Sequence, residues 1–257
     1  MKEKNKKIIY YKTYNDDVIT NKNQNYKLKS NYKWIHNNIL YSLLSNFLYA
    51  FAYLVSCIYF KLIANVKVEN KKLLTKYKKQ GYFLYGNHTR PIGDVFLPAY
   101  VNKGKRIYTI VSPANLGIKV IGRVLPMLGA IPTADNIKDT KKMWEVVNTR
   151  IKEKKCIVIY PEAHLWPYYT KIRPFQLTAF NFPVYNNVPS FAMTTTYYKR
   201  KLRKKPGIKI YIDGPFMPDN NIPKKEREEK LCKEIYECMK NRCKNNTYEY
   251  IEYKREK

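Results

Sequence analysis

Apolar and polar positions along this chain follow two periods, and the places where one gives way to the other mark its elements. Tyr82-Phe83-Leu84-Tyr85 and Cys156-Ile157-Val158-Ile159-Tyr160 are short unbroken apolar runs, the pattern of strands covered on both faces. Arg106 to Val111, Val188 to Tyr197 and Ile208 to Ile212 predict further strands, and Val66 to Asn70 a short one. Asn136 to Lys155 carries Ile137, Trp144, Val147 and Ile151 on one helical face, a stripe that predicts core packing. Lys71 to Gln80 predicts a polar helix closed by Gly81, and Val95 to Val101 the start of another. Ile118 to Arg123 and the Pro126-Met127-Leu128-Gly129 block predict a helix end and a loop, and Asp213-Gly214-Pro215 a turn that closes the domain. Residues 223–245 predict a terminal helix: Glu226, Glu228 and Glu229 sit early and Lys240, Arg242 and Lys244 late, matching the helix dipole, while Leu231, Ile235 and Met239 form a docking stripe. Strand, helix and strand recur in order, which predicts α/β layering with right-handed crossovers.

The N-terminal quarter breaks this rhythm. Residues 1–33 are polar and rich in Lys and Asn, which predicts a solvated, flexible leader without a cleavable signal peptide. Residues 34–64 follow as a helical segment, with no Asp, Glu, Lys or Arg from Ile35 to Phe60. Asn37, Asn38, Ser42, Ser45 and Asn46 divide it and leave Phe47 to Phe60 as its intensely apolar part. That stretch is short for a bilayer core of about 30 Å, so an interfacial, monotopic helix is favoured over a single span or a buried core helix. Lys27, Lys29 and Lys33 precede it and Lys61, Lys67, Lys71 and Lys72 follow, so flanking charge assigns no crossing direction. Residues 65–257 make up the remaining domain.

With 257 residues and 45% hydrophobic content, the chain is long enough for one sizeable core. Its 49 basic and 20 acidic residues leave a formal charge of +29, which suits an anionic partner: nucleic acid, an anionic bilayer or an acidic carrier protein. Heavy use of Lys, Asn, Ile and Tyr together is also what A- and T-rich coding produces, which weakens that signal. Cys57, Cys156, Cys232, Cys238 and Cys243 are odd in number and lack Cys-x-x-Cys spacing, so they predict free thiols rather than a disulfide framework or a zinc knuckle.

The candidate chemistry lies in Gly86-Asn87-His88-Thr89-Arg90-Pro91-Ile92-Gly93-Asp94, a turn at the end of a buried strand. A neutral imidazole at His88 takes a proton near pH 7, and a carboxylate at Asp94 on its far nitrogen fixes the tautomer. The other reading of His88 is a loop histidine satisfied by backbone. A second polar cluster, Pro161-Glu162-Ala163-His164, ends the Cys156 strand and by the strand-end rule shares a rim with His88. Glu162 either orients an acceptor or builds the site, and His164 either donates to a phosphate or carbonyl or is structural. Beyond them Leu165 to Gln176 interleaves aromatics with Lys171 and Arg173.

Four ordered blocks resemble the glycerolipid acyltransferase family typified by lysophosphatidic acid acyltransferase: Asn87-His88 with Asp94, Leu125 to Pro132, Ile157 to Glu162, and Val188-Pro189-Ser190. The resemblance spans about residues 80 to 215. It implies a mixed, largely parallel sheet flanked by helices, an N-terminal helical element dipping into one leaflet, and residence on the cytoplasmic face of a membrane. It also implies direct attack of an acceptor hydroxyl on an acyl-CoA or acyl-carrier-protein thioester, with no cofactor and no metal. His88 is then the general base and Asp94 its partner, with Asn87, Arg90, Glu162, His164, Lys171 and Arg173 as substrate-binding candidates and backbone amides of the two turns as oxyanion donors.

Three departures stand out. Five residues rather than four separate His88 from Asp94, so the loop must bulge to keep the pair in contact. Thr133-Ala134-Asp135-Asn136 lacks the family's phosphate-binding arginine, and Ala163-His164-Leu165 replace Gly-Thr-Arg. Arg90, Lys171 and Arg173 are nominated as replacement cations. No Gly-x-Ser-x-Gly elbow is present and no cysteine lies in these blocks, so a covalent acyl-enzyme is not suggested. Two other classes remain open at this point, a basic nucleic-acid-binding protein and a metal hydrolase using His88, His164, Glu162 and Asp94, and so does an acyltransferase with a non-phosphate acceptor.

Overall fold

The computed structural model describes residues 6–19, 25–91, 93–201 and 203–256. In chain order the strands and helices are β1 (Lys7–Tyr11), α1 (Ile39–Ile58), β2 (Lys67–Glu69), α2 (Lys72–Lys76), β3 (Tyr82–Gly86), α3 (Leu97–Val101), β4 (Ile107–Val111), α4 (Ile121–Val124), β5 (Ala130–Pro132), α5 (Ile137–Lys152), β6 (Cys156–Ile159), α6 (Asn181–Asn186), β7 (Ser190–Tyr198), β8 (Gly207–Phe216), α7 (Lys224–Cys243) and β9 (Ile251–Arg255). Seven strands form one sheet in the order β2-β8-β7-β3-β6-β4-β5. Neighbours are parallel except β7 and β8, which form an antiparallel hairpin. This is the mixed, largely parallel α/β sheet that the apolar runs and the block order imply.

Strand alternation divides the core in two. Tyr82 and Leu84 of β3 and Cys156 and Val158 of β6 face one layer, where they meet Phe60, Leu74 and Leu97. Phe83 and Tyr85, with Ile157 and Ile159, face the other and meet Val147 and Ile151 of α5, Phe182 of α6 and Leu231, Ile235 and Met239 of α7. Both faces are covered, which is why these strands read as continuous apolar runs. Full burial of each such side chain stabilises the fold by roughly 1.5–3 kcal/mol.

Several elements differ from the sequence reading. The leader is not simply a tail: β1 pairs in parallel with β9, Ile9 opposite Tyr253, and Tyr11 packs on Trp166 at 4.7 Å between ring centroids. Its partner strand lies more than 240 residues away, so no local period announces it. The helix expected over residues 71–80 shrinks to Lys72–Lys76, consistent with Lys72 and Lys76 repelling at i,i+4. Asp213, Gly214 and Pro215 do not end the domain but lie inside β8, where a register shift opposite Ser190 and Ala192 absorbs them. Gly129 ends a short 3₁₀ turn at φ +98°, and a Cβ there would lie 2.4 Å from Ile107 O, so a glycine is needed for β5 to join β4.

α1 starts just after Asn37 and Asn38 and runs straight through Ser42, Ser45 and Asn46, which were expected to divide it. Asn38 caps it by accepting from Tyr41 N at 3.2 Å, and it continues as a π turn over Tyr59–Ile63. Its polar side faces the domain. Ser45 Oγ donates to Met127 O at 2.7 Å, and Arg106 Nη2 donates to Ser45 Oγ at 2.6 Å and to Met127 O at 2.8 Å, while Nη1 donates to Asn46. Its apolar side faces outward: Ile39, Leu40, Leu43, Phe47, Phe51, Leu54 and Leu62 are all more than half exposed. Ile39–Ile63 is long and apolar enough, at a mean hydropathy of 1.6 over 25 residues, to cross a membrane. The usual amphipathic arrangement, apolar face inward, is thus inverted.

Candidate active site

β3 delivers Asn87 and His88 to the sheet's C-terminal rim, and the loop that follows is fastened from four sides. Asn87 prolongs the β3–β7 ladder with its side chain: Nδ2 donates to Thr195 O at 3.0 Å and Oδ1 accepts from Thr195 N at 2.8 Å. Thr89 Oγ1 lies 2.8 Å from Tyr197 Oη, which also donates to Thr89 O at 3.2 Å. Trp166 N donates to His88 O at 3.0 Å and Tyr168 N to Thr89 O at 2.7 Å, so the segment after β6 pairs with this loop almost as a strand would. Glu162 Oε2 accepts from His88 N at 3.0 Å. Asn87 is 1% exposed, so its expected contact with substrate gives way to a structural clasp.

The structure places Asp94 Oδ2 2.7 Å from His88 Nδ1, with the same oxygen accepting from Arg90 N at 3.0 Å. Gly93, at φ +136°, turns the chain so that the six-residue spacing still closes, and a Cβ there would lie 3.0 Å from Arg90 Nε. Leu97 N and Phe96 N then bond back to Gly93 O, which anchors the turn to α3. Asp94 is 3% exposed and the His88 side chain 24%, so the carboxylate is screened while the ring reaches solvent. No protein partner holds His88 Nε2 among the described residues. Tyr160 stacks on the ring at 4.5 Å and donates to Asp94 O at 2.5 Å. Burial, and then the Asp94 charge, pushes the Tyr160 phenol well above its ordinary value, so it remains a neutral donor.

The second cluster is built around Glu162, 2% exposed, and Arg173, 1% exposed. Glu162 Oε1 accepts from Arg173 N at 2.8 Å, and Oε2 accepts from Arg173 Nη2 at 3.2 Å in addition to His88 N. The guanidinium also donates to His164 O and, at 3.2 Å, to Tyr14 O, and it stacks over Trp166 at 4.7 Å. Burial draws the Arg173 pKa down while Glu162 acts against that shift. Arg173 is therefore committed to the interior and is not the phosphate cation the sequence nominated. Glu162 likewise positions the His88 loop rather than facing an acceptor.

His164 turns toward the leader, its Nδ1 2.6 Å from Asp17 Oδ1, and Lys171 is exposed with no contact to these groups among the described residues. Neither joins His88. Arg90 stays in the loop, 7% exposed, its guanidinium 5.8 Å from the Phe60 ring centroid. Four amides of the two turns expected to hold an oxyanion are engaged: His88 N by Glu162, Arg90 N by Asp94, Ala163 N by Tyr160 O and His164 N by Glu162 O. Sequence reasoning missed Tyr160 and Tyr197, whose apolar surroundings made them look like core residues. Only their phenols, one beneath His88 and one beneath Thr89, reveal the role.

A family profile described as Acyltransferase matches residues 65–206. No curated protein sequence matches the chain. Among solved structures, the fold is similar to the crystal structure of the 1-acyl-sn-glycerophosphate (LPA) acyltransferase PlsC from Thermotoga maritima, with a TM-score of 0.57 and 12% sequence identity over 83% of this chain and 86% of that one.

Proposed function

This chain belongs to the acyltransferase family, and from that premise we propose a membrane-associated O-acyltransferase of phospholipid synthesis that moves a fatty acyl group from a thioester to a hydroxyl of a lysophospholipid or glycerol-phosphate-type acceptor. The observation that carries this reading is the 2.7 Å contact between His88 Nδ1 and Asp94 Oδ2. It fixes the proton on Nδ1 and leaves the Nε2 lone pair to take the acceptor's hydroxyl proton. The alkoxide attacks the thioester carbonyl, the tetrahedral intermediate collapses, and the thiolate leaves with the proton held on the imidazolium, which Asp94 steadies in the meantime. Tyr160 packs beneath the ring and limits its rotation. Acyl-CoA and an acyl carrier protein both remain as donors, and the basic surface suits the acidic carrier.

Of the three cations nominated for an acceptor phosphate, Arg90 alone lies in the catalytic loop, and the reading assigns the contact to it. The inverted polarity of α1 supports a monotopic placement: the helix lies along the domain with its polar side docked and its apolar side turned to lipid. The cytoplasmic face is proposed from the family resemblance alone.

The test is His88→Ala, assayed by mass spectrometry of the lipids formed from a panel of lysolipids with each donor. Removal of a placed base is expected to lower turnover by about 10²–10⁴-fold, with circular dichroism and melting unchanged. Near-full activity in that variant would remove His88 from the mechanism.

A further inference from the structure

Three features that acyl transfer does not use converge at one end of the molecule. β7 runs parallel to β3, with Met193 opposite Gly86, so it leaves the sheet at the same rim to which β3 delivers His88. The hairpin connecting it to antiparallel β8 carries Lys199, Arg200, Lys201, Arg203, Lys204 and Lys205, and no carboxylate occurs between residues 199 and 212. All of these but Arg200 are exposed. β2 starts beside β8, with exposed Lys67 opposite Lys209.

The hairpin is fastened to the end of the apolar helix. Arg203 Nη1 donates to Ile63 O at 2.6 Å and Arg200 to Ala64 O, satisfying carbonyls that the helix end leaves open. Around that end Ile58, Leu62 and Ile63 are about half exposed or more. Val95 and Phe96, just past Asp94, are also exposed, and Phe60 links the helix end to Arg90 of the catalytic loop.

Glu69 of β2 pairs with Lys209 at 3.0 Å, but the hairpin's own Lys199, Lys201, Lys204 and Lys205 form no ion pair among the described residues; like charges so crowded repel, so the hairpin calls for an anion from outside the chain. RNA or an acidic protein would answer the charge but not the large apolar side chains beside it. A bilayer with anionic headgroups answers both, because apolar insertion and a polybasic patch are the two signals that together give stable anchoring. We propose that the β7–β8 hairpin binds anionic phospholipid headgroups and so sets the catalytic rim, not the opposite rim, against the bilayer. This inference rests on the membrane-associated reading above and adds the lipid charge and the orientation.

The test uses the full chain and two vesicle types, phosphatidylcholine alone and phosphatidylcholine with about 30% phosphatidylserine, the latter carrying the negative surface potential the hairpin would sense. The variants are Lys201→Gln/Lys204→Gln/Lys205→Gln and the charge-retaining Lys201→Arg/Lys204→Arg/Lys205→Arg. Each lysine near such a surface is worth about fivefold in partitioning. The glutamine variant is therefore expected to bind anionic vesicles about 100-fold more weakly at low salt, with binding to neutral vesicles unchanged and the arginine variant matching the parent. The parent's preference for anionic vesicles should fade as salt shortens the screening length.

Equal binding of parent and glutamine variant to anionic vesicles, or a parent indifferent to lipid charge, would overturn the hairpin's role and leave membrane association standing. A parent that sediments with neither vesicle would defeat membrane association itself, and the hairpin proposal with it. Retention on RNA that depends on these lysines, without any lipid preference, would reassign the surface to nucleic acid.

Discussion

Replacing Glu162 with Gln preserves its shape and removes only its charge and one acceptor, which makes it a sharp probe of how the site is held. The carboxylate receives three N–H groups: His88 N at 3.0 Å, Arg173 N at 2.8 Å and Arg173 Nη2 at 3.2 Å. An amide offers one oxygen and one NH₂, so in either orientation at least one donor faces another donor. The guanidinium, 1% exposed, also loses its counter-charge and cannot turn to water. Removing one member of a buried ion pair typically costs about 3–5 kcal/mol. A domain of this size shifts its melting point by about 2–4 °C per kcal/mol, so Glu162→Gln is expected to melt about 6–20 °C below the parent. Differential scanning calorimetry measures this, with turnover followed at a temperature where both proteins are folded. The loss in turnover should track displacement of the His88 backbone and shrink on cooling. A variant that melts with the parent yet has lost turnover would refute the argument and place Glu162 in contact with the substrate.

Two further outcomes follow from named contacts. Ala163 adopts φ +63°, a left-handed conformation that costs an L-residue roughly 1–2 kcal/mol, against about 0.5–1 kcal/mol of extra chain entropy for glycine. Ala163→Gly is thus expected to raise stability by up to about 1 kcal/mol, a gain of roughly 2–4 °C in a thermal melt, and a lower melting point would show that the methyl group is needed. Burial pushes the thiols of Cys232 and Cys238 up to about 11 and those of Cys156 and Cys243 up to about 12. Raised values mean less thiolate at a given pH, so these four should resist alkylation at pH 8 and Cys232 and Cys238 should gain reactivity only as pH approaches 11. Peptide mapping after alkylation at pH 8 should find Cys57 modified first and turnover retained; turnover lost in step with labelling would revive a covalent acyl-enzyme.

How much of the site was legible depended on whether a residue's partners were near in sequence. His88 and Asp94 lie six apart on one loop, and the chemistry of an imidazole beside a carboxylate suffices to pair them on paper. Glu162 and Arg173 looked equally functional, because a polar cluster at a strand end and a cation among aromatics are the usual marks of a binding site. Their burial, which turns both into supports for the loop, depends on Tyr14 and the His88 backbone as well as on Trp166, and no local pattern can bring the first two to them. Tyr160 and Tyr197 erred in the opposite sense, hidden in apolar strands although their phenols bond the Asp94 carbonyl and Thr89 of the His88 loop.

By itself, the order of apolar runs and helical stripes determined the α/β class, the buried strands β3 and β6 and the docking faces of α5 and α7, since each is a matter of period within one segment. The composition of residues 39–63 likewise determined that an apolar helix would form. Tertiary structure alone decided that this helix docks by Ser45 and Asn46 and turns its apolar side out, because that outcome depends on Arg106 and the Met127 carbonyl awaiting it on the domain. It also decided that the N-terminal strand pairs with the C-terminal one and that a basic hairpin leaves the sheet at the rim that carries His88. Hydrogen bonds between segments up to about 240 residues apart are set by the closed sheet, and no window along the chain contains both ends of them.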